Sequence, residues 1–300
     1  MRGWWQDLTD LVLPAECGGC GTPRTVLCPE CRAALSGAVP GRVRPASEPP
    51  GLPAVYAAAP YADEVRAALL AHKERGALAL AGALGVALAG AVRAGLREHR
   101  TVRVVGSWSD LADPEGGPAP GPVLLVPVPS APWAVRARGH DPVRRIALAA
   151  AAELRRGGTS ARVAPVLGQR RAVADQSGLN SRQRRANLAG ALEVTAGGGR
   201  LLAGGRVVLV DDLVTTGATL AEAARAVREA TGPGGAGEGT AAVYRRAAWE
   251  GREERTAGPR EVRTRWTRDA PGMAQGNAPT WPLRAAVVAA APDSFEKNRN

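Results

Sequence analysis

The chemistry in this chain is concentrated at Asp211 and Asp212, two adjacent carboxylates that end the apolar run VVLV at residues 207–210 and precede the short stretch LVTTGAT. Ligands of open parallel sheets bind beyond the carboxyl ends of the strands, and paired acids there can accept hydrogen bonds from a vicinal diol. The loop that follows suits a phosphate monoester. Gly217 lets the backbone approach closely, Thr215, Thr216 and Thr219 offer hydroxyls, and an amphipathic helix starting near Thr219 presents N–H groups with the positive end of its dipole. Diol and phosphate together describe a cradle for ribose 5-phosphate. The competing reading is a strand that ends in a turn, with Thr219 as an ordinary N-cap. No Gly-Lys-Ser/Thr follows the glycine, so the loop is not of the Walker type, and no GxGxxG opens a strand-to-helix turn.

A second constellation lies near the N-terminus. All four cysteines occur as Cys17-x2-Cys20 and Cys28-x2-Cys31, with Gly18, Gly19 and Gly21 allowing tight turns. Two paired knuckles with no cysteine left over point to a four-thiolate zinc site. Four thiolates leave no open coordination position, so Zn2+ there is expected to be structural, with an interaction surface as a secondary use. Redox or disulfide chemistry is the alternative, and it fits a cytoplasmic chain poorly.

The elements that must position these groups follow from patterning. The head (residues 1–35) leads into a Pro/Gly-rich connector (36–55) that reads as irregular. Tyr61, Val65, Leu69 and Leu70 then recur at helical spacing before an uncharged Ala/Gly-rich stretch at 76–92, short for a bilayer span and expected to be a buried helix. Downstream, VLLVPV, a helix over 142–156, ARVAPVL, ALEVT, VVLVDD, a helix over 220–230 and AAVYRR alternate. Wholly apolar strands alternating with helices predict an α/β domain, residues 56–249, with a parallel sheet covered on both faces. Residues 250–300 show no sustained period and read as a largely disordered tail, with Trp266 and Trp281 as docking candidates. Asp7 and Asp10 interrupt any signal-peptide core, so a cytoplasmic location is expected, with no membrane association.

The net charge of +11 is almost wholly arginine, Lys73 and Lys297 being the only lysines; residues 131–190 hold twelve arginines against three acids. Such a belt suits a polyphosphate or a nucleic-acid backbone, or is simply a solvated helix face. Lys73 itself, in AHKERG, reads as a solvated helix terminus.

VVLVDDLVTTGAT resembles the phosphoribosyl-pyrophosphate (PRPP) signature of type I phosphoribosyltransferases. VPVPSAPWAVRARGHD, the spacing of Gln176, Leu179, Arg184 and Asn187, and the cysteine head together resemble the ComF family of competence-associated phosphoribosyltransferase-like proteins, over about residues 4–246. That family usually has an aromatic residue and Asn where this chain has His140-Asp141, and Ala-Phe where it has Ala191-Leu192. Asp141 before Pro142 preserves helix initiation as an N-cap with proline at the first helical position, and His140 is then a loop or packing residue rather than a base.

The resemblance implies a type I phosphoribosyltransferase-like fold. It implies PRPP bound with Mg2+ by Asp211, Asp212, Thr215, Thr216, Gly217, Ala218 and Thr219, the two acids being catalytic, and displacement of pyrophosphate at ribose C1 by an acceptor the sequence does not name. Arg136 and Arg138, after the strand VLLVPV in a loop stiffened by Pro127 and Pro129, become candidates for the pyrophosphate. Residues 169–187 suit a lid, with Arg171, Arg184 and Asn187 as contacts in the closed state. Lys73 matches a lysine of the family pattern. A link to DNA uptake is implied as well. Two non-catalytic readings stand beside the enzyme: an accessory protein contacting single-stranded DNA or a DNA-uptake helicase, and a PRPP-sensing regulator. Few aromatic residues are available for base stacking, and the acidic pair would repel a phosphate backbone.

Overall fold

The computed structural model describes residues 16–105, 121–171, 181–232 and 282–295. Its strands are β1 (Gly41–Val43), β2 (Ala54–Pro60), β3 (Val123–Pro127), β4 (Ala161–Val163), β5 (Leu167–Gln169), β6 (Leu192–Val194), β7 (Arg206–Val214) and β8 (Arg284–Ala290). Six of them form one sheet in the order β1-β2-β8-β7-β3-β4, while β5 and β6 pair separately. Within the large sheet every neighbouring pair is parallel except β1 on β2. The helices are α1 (Pro29–Ser36), α2 (Asp63–Glu74), α3 (Ala81–Val105), α4 (Pro132–Arg138), α5 (Pro142–Arg156), α6 (Ser181–Leu188), α7 (Gly198–Ala203) and α8 (Ala218–Thr231).

Strand side chains alternate between faces, and the core divides accordingly. Tyr56, Leu125, Val208, Val210 and Val288 pack with α2, α3 and α5, and the buried cysteines share that cluster. Ala57, Leu124, Val126, Leu209 and Val287 pack with α7, α8 and the β5–β6 pair. This is the α/β architecture with a mostly parallel sheet flanked by helices that the apolar strands predict. The apolar stretch from residue 76 lies largely in α3, where Leu84, Leu88 and Ala91 are fully buried; by length and hydropathy Leu78–Glu98 could cross a bilayer, yet it packs inside the protein.

Three expectations change. The segment read as a tail carries β8, which sits between β2 and β7 and is buried along its whole length; RAAVVAA is short and alanine-rich, and its pairing with β2, some 230 residues away, leaves no local signature. The connector is structured too, because residues 41–43 form an edge strand and Arg44 N–H donates to Ser294 O at 2.7 Å. ARVAPVL is not one strand of the sheet: it breaks into β4, at the sheet edge, and β5, antiparallel to β6. AAVYRR, Trp266 and Trp281 lie outside the described residues.

A polar network at the amino ends of the strands anchors β8. Arg284 Nη1 donates to Tyr56 Oη at 2.7 Å, and Tyr56 Oη donates to the Glu98 carboxylate of α3. Burial and that carboxylate push the Tyr56 phenol up to about 12.

Candidate functional site

Chain direction sets where a ligand can enter. From β3 the chain crosses through α5 to β4 on one side, whereas from β7 it crosses through α8 toward β8 on the other. Where adjacent strands lead away from each other, their connecting loops splay and leave a crevice. A cleft of about 420 Å³ occupies this point between the carboxyl ends of β3 and β7, lined by residues 128–131 on one wall and by Asp211, Asp212, Leu213, Thr215 and Thr219 on the other.

Asp211 and Asp212 stand near the carboxyl end of β7, one half-buried and the other buried. Asp211 Oδ1 accepts from the N–H of Asp212 at 2.8 Å, and Lys73 Nζ donates to Asp212 Oδ2 at 3.0 Å. Burial pushes the Asp211 carboxyl well above the usual carboxylate range, the neighbouring Asp212 charge adds to that, and Lys73 offsets part of it. Lys73 in turn is held above its ordinary value by Asp212 first and then, against the opposing effect of burial, by Asp211. It is therefore a site residue and not a solvated terminus, a placement invisible along the chain because its partner is 139 positions away.

The loop after β7 closes at Gly217, whose φ of 73° lies in the left-handed region where a side chain costs about 1–2 kcal/mol. The fit is also steric: a Cβ there would lie 2.9 Å from Leu52 Cδ2 and 3.4 Å from Pro45 Cγ, so the connector straps the outside of the loop. α8 starts at Ala218 with Gly217 as its cap and no side-chain oxygen closing the first turn in the N-cap manner; Thr219 is inside the helix, not the N-cap. Thr216 Oγ1 accepts from Ala218 N–H at 3.4 Å. The positive end of α8 thus faces the loop that Thr215 and Thr219 line.

The opposite wall comes from β3 and α4. The stretch expected as a loop carrying two arginines is a short helix, and residues two apart on a helix point to nearly opposite sides. Arg138 lines the cleft, with Nη2 3.3 Å from Glu74 Oε1, while Arg136 is exposed and does not line it. Asp141 caps α5, accepting from Arg144 N–H at 3.2 Å with Pro142 behind it, as the sequence predicts. His140 is a loop residue, its Nδ1 3.1 Å from Arg138 O and its ring tilted against buried His72 with centroids 6.0 Å apart.

Of the lid candidates, Arg171 Nη2 donates to Asn187 O and Ala189 O, each at 2.9 Å, so its guanidinium fastens the end of α6. Asn187 is half-buried at that end. The side chain of Arg184, and residues 172–180 with Gln176 and Leu179, lie outside the described residues. Residues without an earlier signal also reach the cleft: Glu74, Ser130, Trp133, Gln169 and Leu188. Trp133 is 57% exposed, and a lone exposed indole beside apolar neighbours is the sort of feature only a structure reveals.

The four cysteine sulfurs lie within 4.8 Å of one another, with Cys20 Sγ 3.6 Å from Cys28 Sγ. Tetrahedral Zn2+ with bonds of about 2.3 Å places its sulfurs about 3.8 Å apart, so the set fits. Cys28 N–H and Cys31 N–H point at Cys17 Sγ and Cys28 Sγ. Burial raises the Cys17 thiol, but the backbone N–H groups around it outweigh that and bring it to about 6. Cys31 is driven the other way, by burial and by the neighbouring sulfurs. Thiols this close cannot all ionise unless a cation sits among them. A Cβ at Gly19 would lie 2.6 Å from Cys31 Sγ, so the knuckle needs glycine there. Compared with models of known protein families and with curated proteins, the chain matches none.

Proposed function

We propose that the cleft binds PRPP with Mg2+ and that the chain is a phosphoribosyltransferase-like protein of the ComF type, acting by displacement of pyrophosphate at ribose C1. The observation that carries this reading is the coincidence, at the topological switch point, of the acidic pair, the glycine-closed loop at the start of α8 and the β3–α4 wall. In this reading the ribose diol rests on Asp211 and Asp212, and the 5-phosphate rests on residues 215–219 at the start of α8. The pyrophosphate lies against residues 129–131 and Arg138.

Among the described residues the ionisable side chains lining the cleft are Lys73 and Arg138, paired with Asp212 and Glu74, and Asp211, whose carboxyl burial raises well above the usual range. Such a lining offers a bare polyphosphate or a nucleic-acid backbone no net positive charge, and it favours an anion that arrives with a divalent cation. Mg2+ bound with PRPP supplies neutralisation of the leaving pyrophosphate. The protein groups do the rest: the carboxylates stabilise positive charge developing at C1, and the guanidinium of Arg138 stabilises negative charge on the departing oxygen.

Calorimetric titration of Mg-PRPP into the protein, beside Asp211→Asn/Asp212→Asn, tests the reading. Binding that is present in the original chain and absent in the variant supports it, and a screen of nucleobases and amines for pyrophosphate release then identifies the acceptor. Absence of PRPP binding, together with salt-sensitive affinity for single-stranded DNA, replaces it with the accessory-protein reading.

A further inference from the structure

The last turn of α2 ends in three consecutive residues with three different partners, and the second and third line the cleft. His72 lies 3.5 Å from Pro142 O at the start of α5, Lys73 pairs with Asp212, and Glu74 pairs with Arg138. Adjacent residues on a helix are about 100° apart, so three neighbours find three partners only because the cleft wraps around the helix end. In consequence, the two cations that line the cleft among the described residues, Lys73 and Arg138, are both held by carboxylates. The two pairs differ in kind. Asp212 is buried and belongs to the acidic pair that the diol needs, whereas the Glu74 side chain is half exposed and has no part in the ribose cradle.

Resting on the PRPP reading above, we propose that Glu74 is a surrogate anion: it occupies Arg138 until the pyrophosphate end of the ligand displaces it, and so sets how tightly that end is held. Arg138 reaches the cleft from α4 and Glu74 from α2, so the contact bridges two elements that the ligand must also bridge. A guanidinium forms stronger hydrogen bonds with a doubly charged phosphate group than with a single carboxylate. Exchange is therefore favourable, and its cost is the contact between Arg138 and Glu74 that the ligand must replace. An exposed ion pair is weak enough to be exchanged at small cost.

The test is a double-mutant cycle on the full chain, with affinity for inorganic pyrophosphate in excess Mg2+ read by calorimetry and Mg-PRPP titrated in parallel. From the usual strength of exposed pairs, Glu74→Gln tightens pyrophosphate binding by about two- to fivefold. Arg138→Gln weakens it, and adding Glu74→Gln to Arg138→Gln yields no further gain. Unchanged or weaker binding by Glu74→Gln overturns the proposal. So does an equal gain in the Arg138→Gln background, which would mean that Glu74 acts by general repulsion and not by holding Arg138. If the original chain binds Mg-PRPP but the cycle shows no coupling, only the surrogate-anion role falls; if it binds neither PRPP nor pyrophosphate, the PRPP reading falls with it.

Discussion

Asp211 is held in its place in the fold against stability. Its carboxyl is raised by burial and by Asp212, so the folded state prefers it protonated. In the unfolded chain it ionises near its ordinary value of about 3.9. As pH rises from there toward the higher folded value, the unfolded state sheds the proton more readily and stability falls. Asp211→Asn should therefore melt at a higher temperature than the original chain at pH 7 and show little difference at pH 4, while losing Mg-PRPP binding; equal melting curves at both pH values would remove the argument. Lys73 has the opposite sign. Its raised pKa, caused first by Asp212, stabilises the fold fully below about pH 10 and is lost only above it. Lys73→Met leaves Asp212 buried without its cation. Discounted because Lys73 is partly solvent-exposed, the loss should be about 1–2 kcal/mol, measured by urea unfolding at pH 7.

Among the elements, the β7-loop-α8 unit was legible because an apolar run, two acids and a glycine turn are all local signals. The α5 cap and the alternation of β3 with α5 were legible for the same reason. What was hidden depends on distant partners. β8 is seven residues of Arg, Ala and Val in a segment otherwise rich in charge and proline, and only its neighbours β2 and β7 make it a central strand. The connector likewise reads as a spacer until Leu52 is seen against Gly217. Both readings have consequences for mutants. A chain ending at residue 249, where sequence patterning alone puts the domain boundary, loses β8 from between two parallel partners. It should be insoluble or lack a cooperative unfolding transition, whereas a well-folded product would mean that β2 and β7 can pair directly. Leu52→Ala removes the outer support of the loop that Gly217 closes, and on the PRPP reading it does so without touching the ligand. PRPP affinity should drop several-fold while the fold persists, in contrast to Gly217→Ala, which adds backbone strain and a clash to that loop.

At the scale of the whole molecule, the cysteine head is an integral part of the fold. Cys17, Cys28 and Cys31 belong to the same core cluster as Val65, Leu69 and Ala71 of α2, Leu84 and Leu88 of α3, and strand residues of the main sheet. A Cβ on Gly18 would press on Leu80, immediately before α3. A metal among these sulfurs therefore braces the back of α2, whose far end carries Lys73 and Glu74 into the cleft. Binding that exists only in the folded state stabilises the whole cooperative unit that contains it. Removing zinc with a chelator, or replacing Cys31 with serine, should release one metal ion per chain and lower the midpoint of a single unfolding transition. On the PRPP reading its affinity should weaken too, although the four cysteine sulfurs lie behind the helix and not in the cleft. Two separate transitions, with PRPP binding untouched after chelation, would instead make the head an independent module. The shared core argues for one transition, because the head has too few apolar residues of its own to bury without α2 and α3.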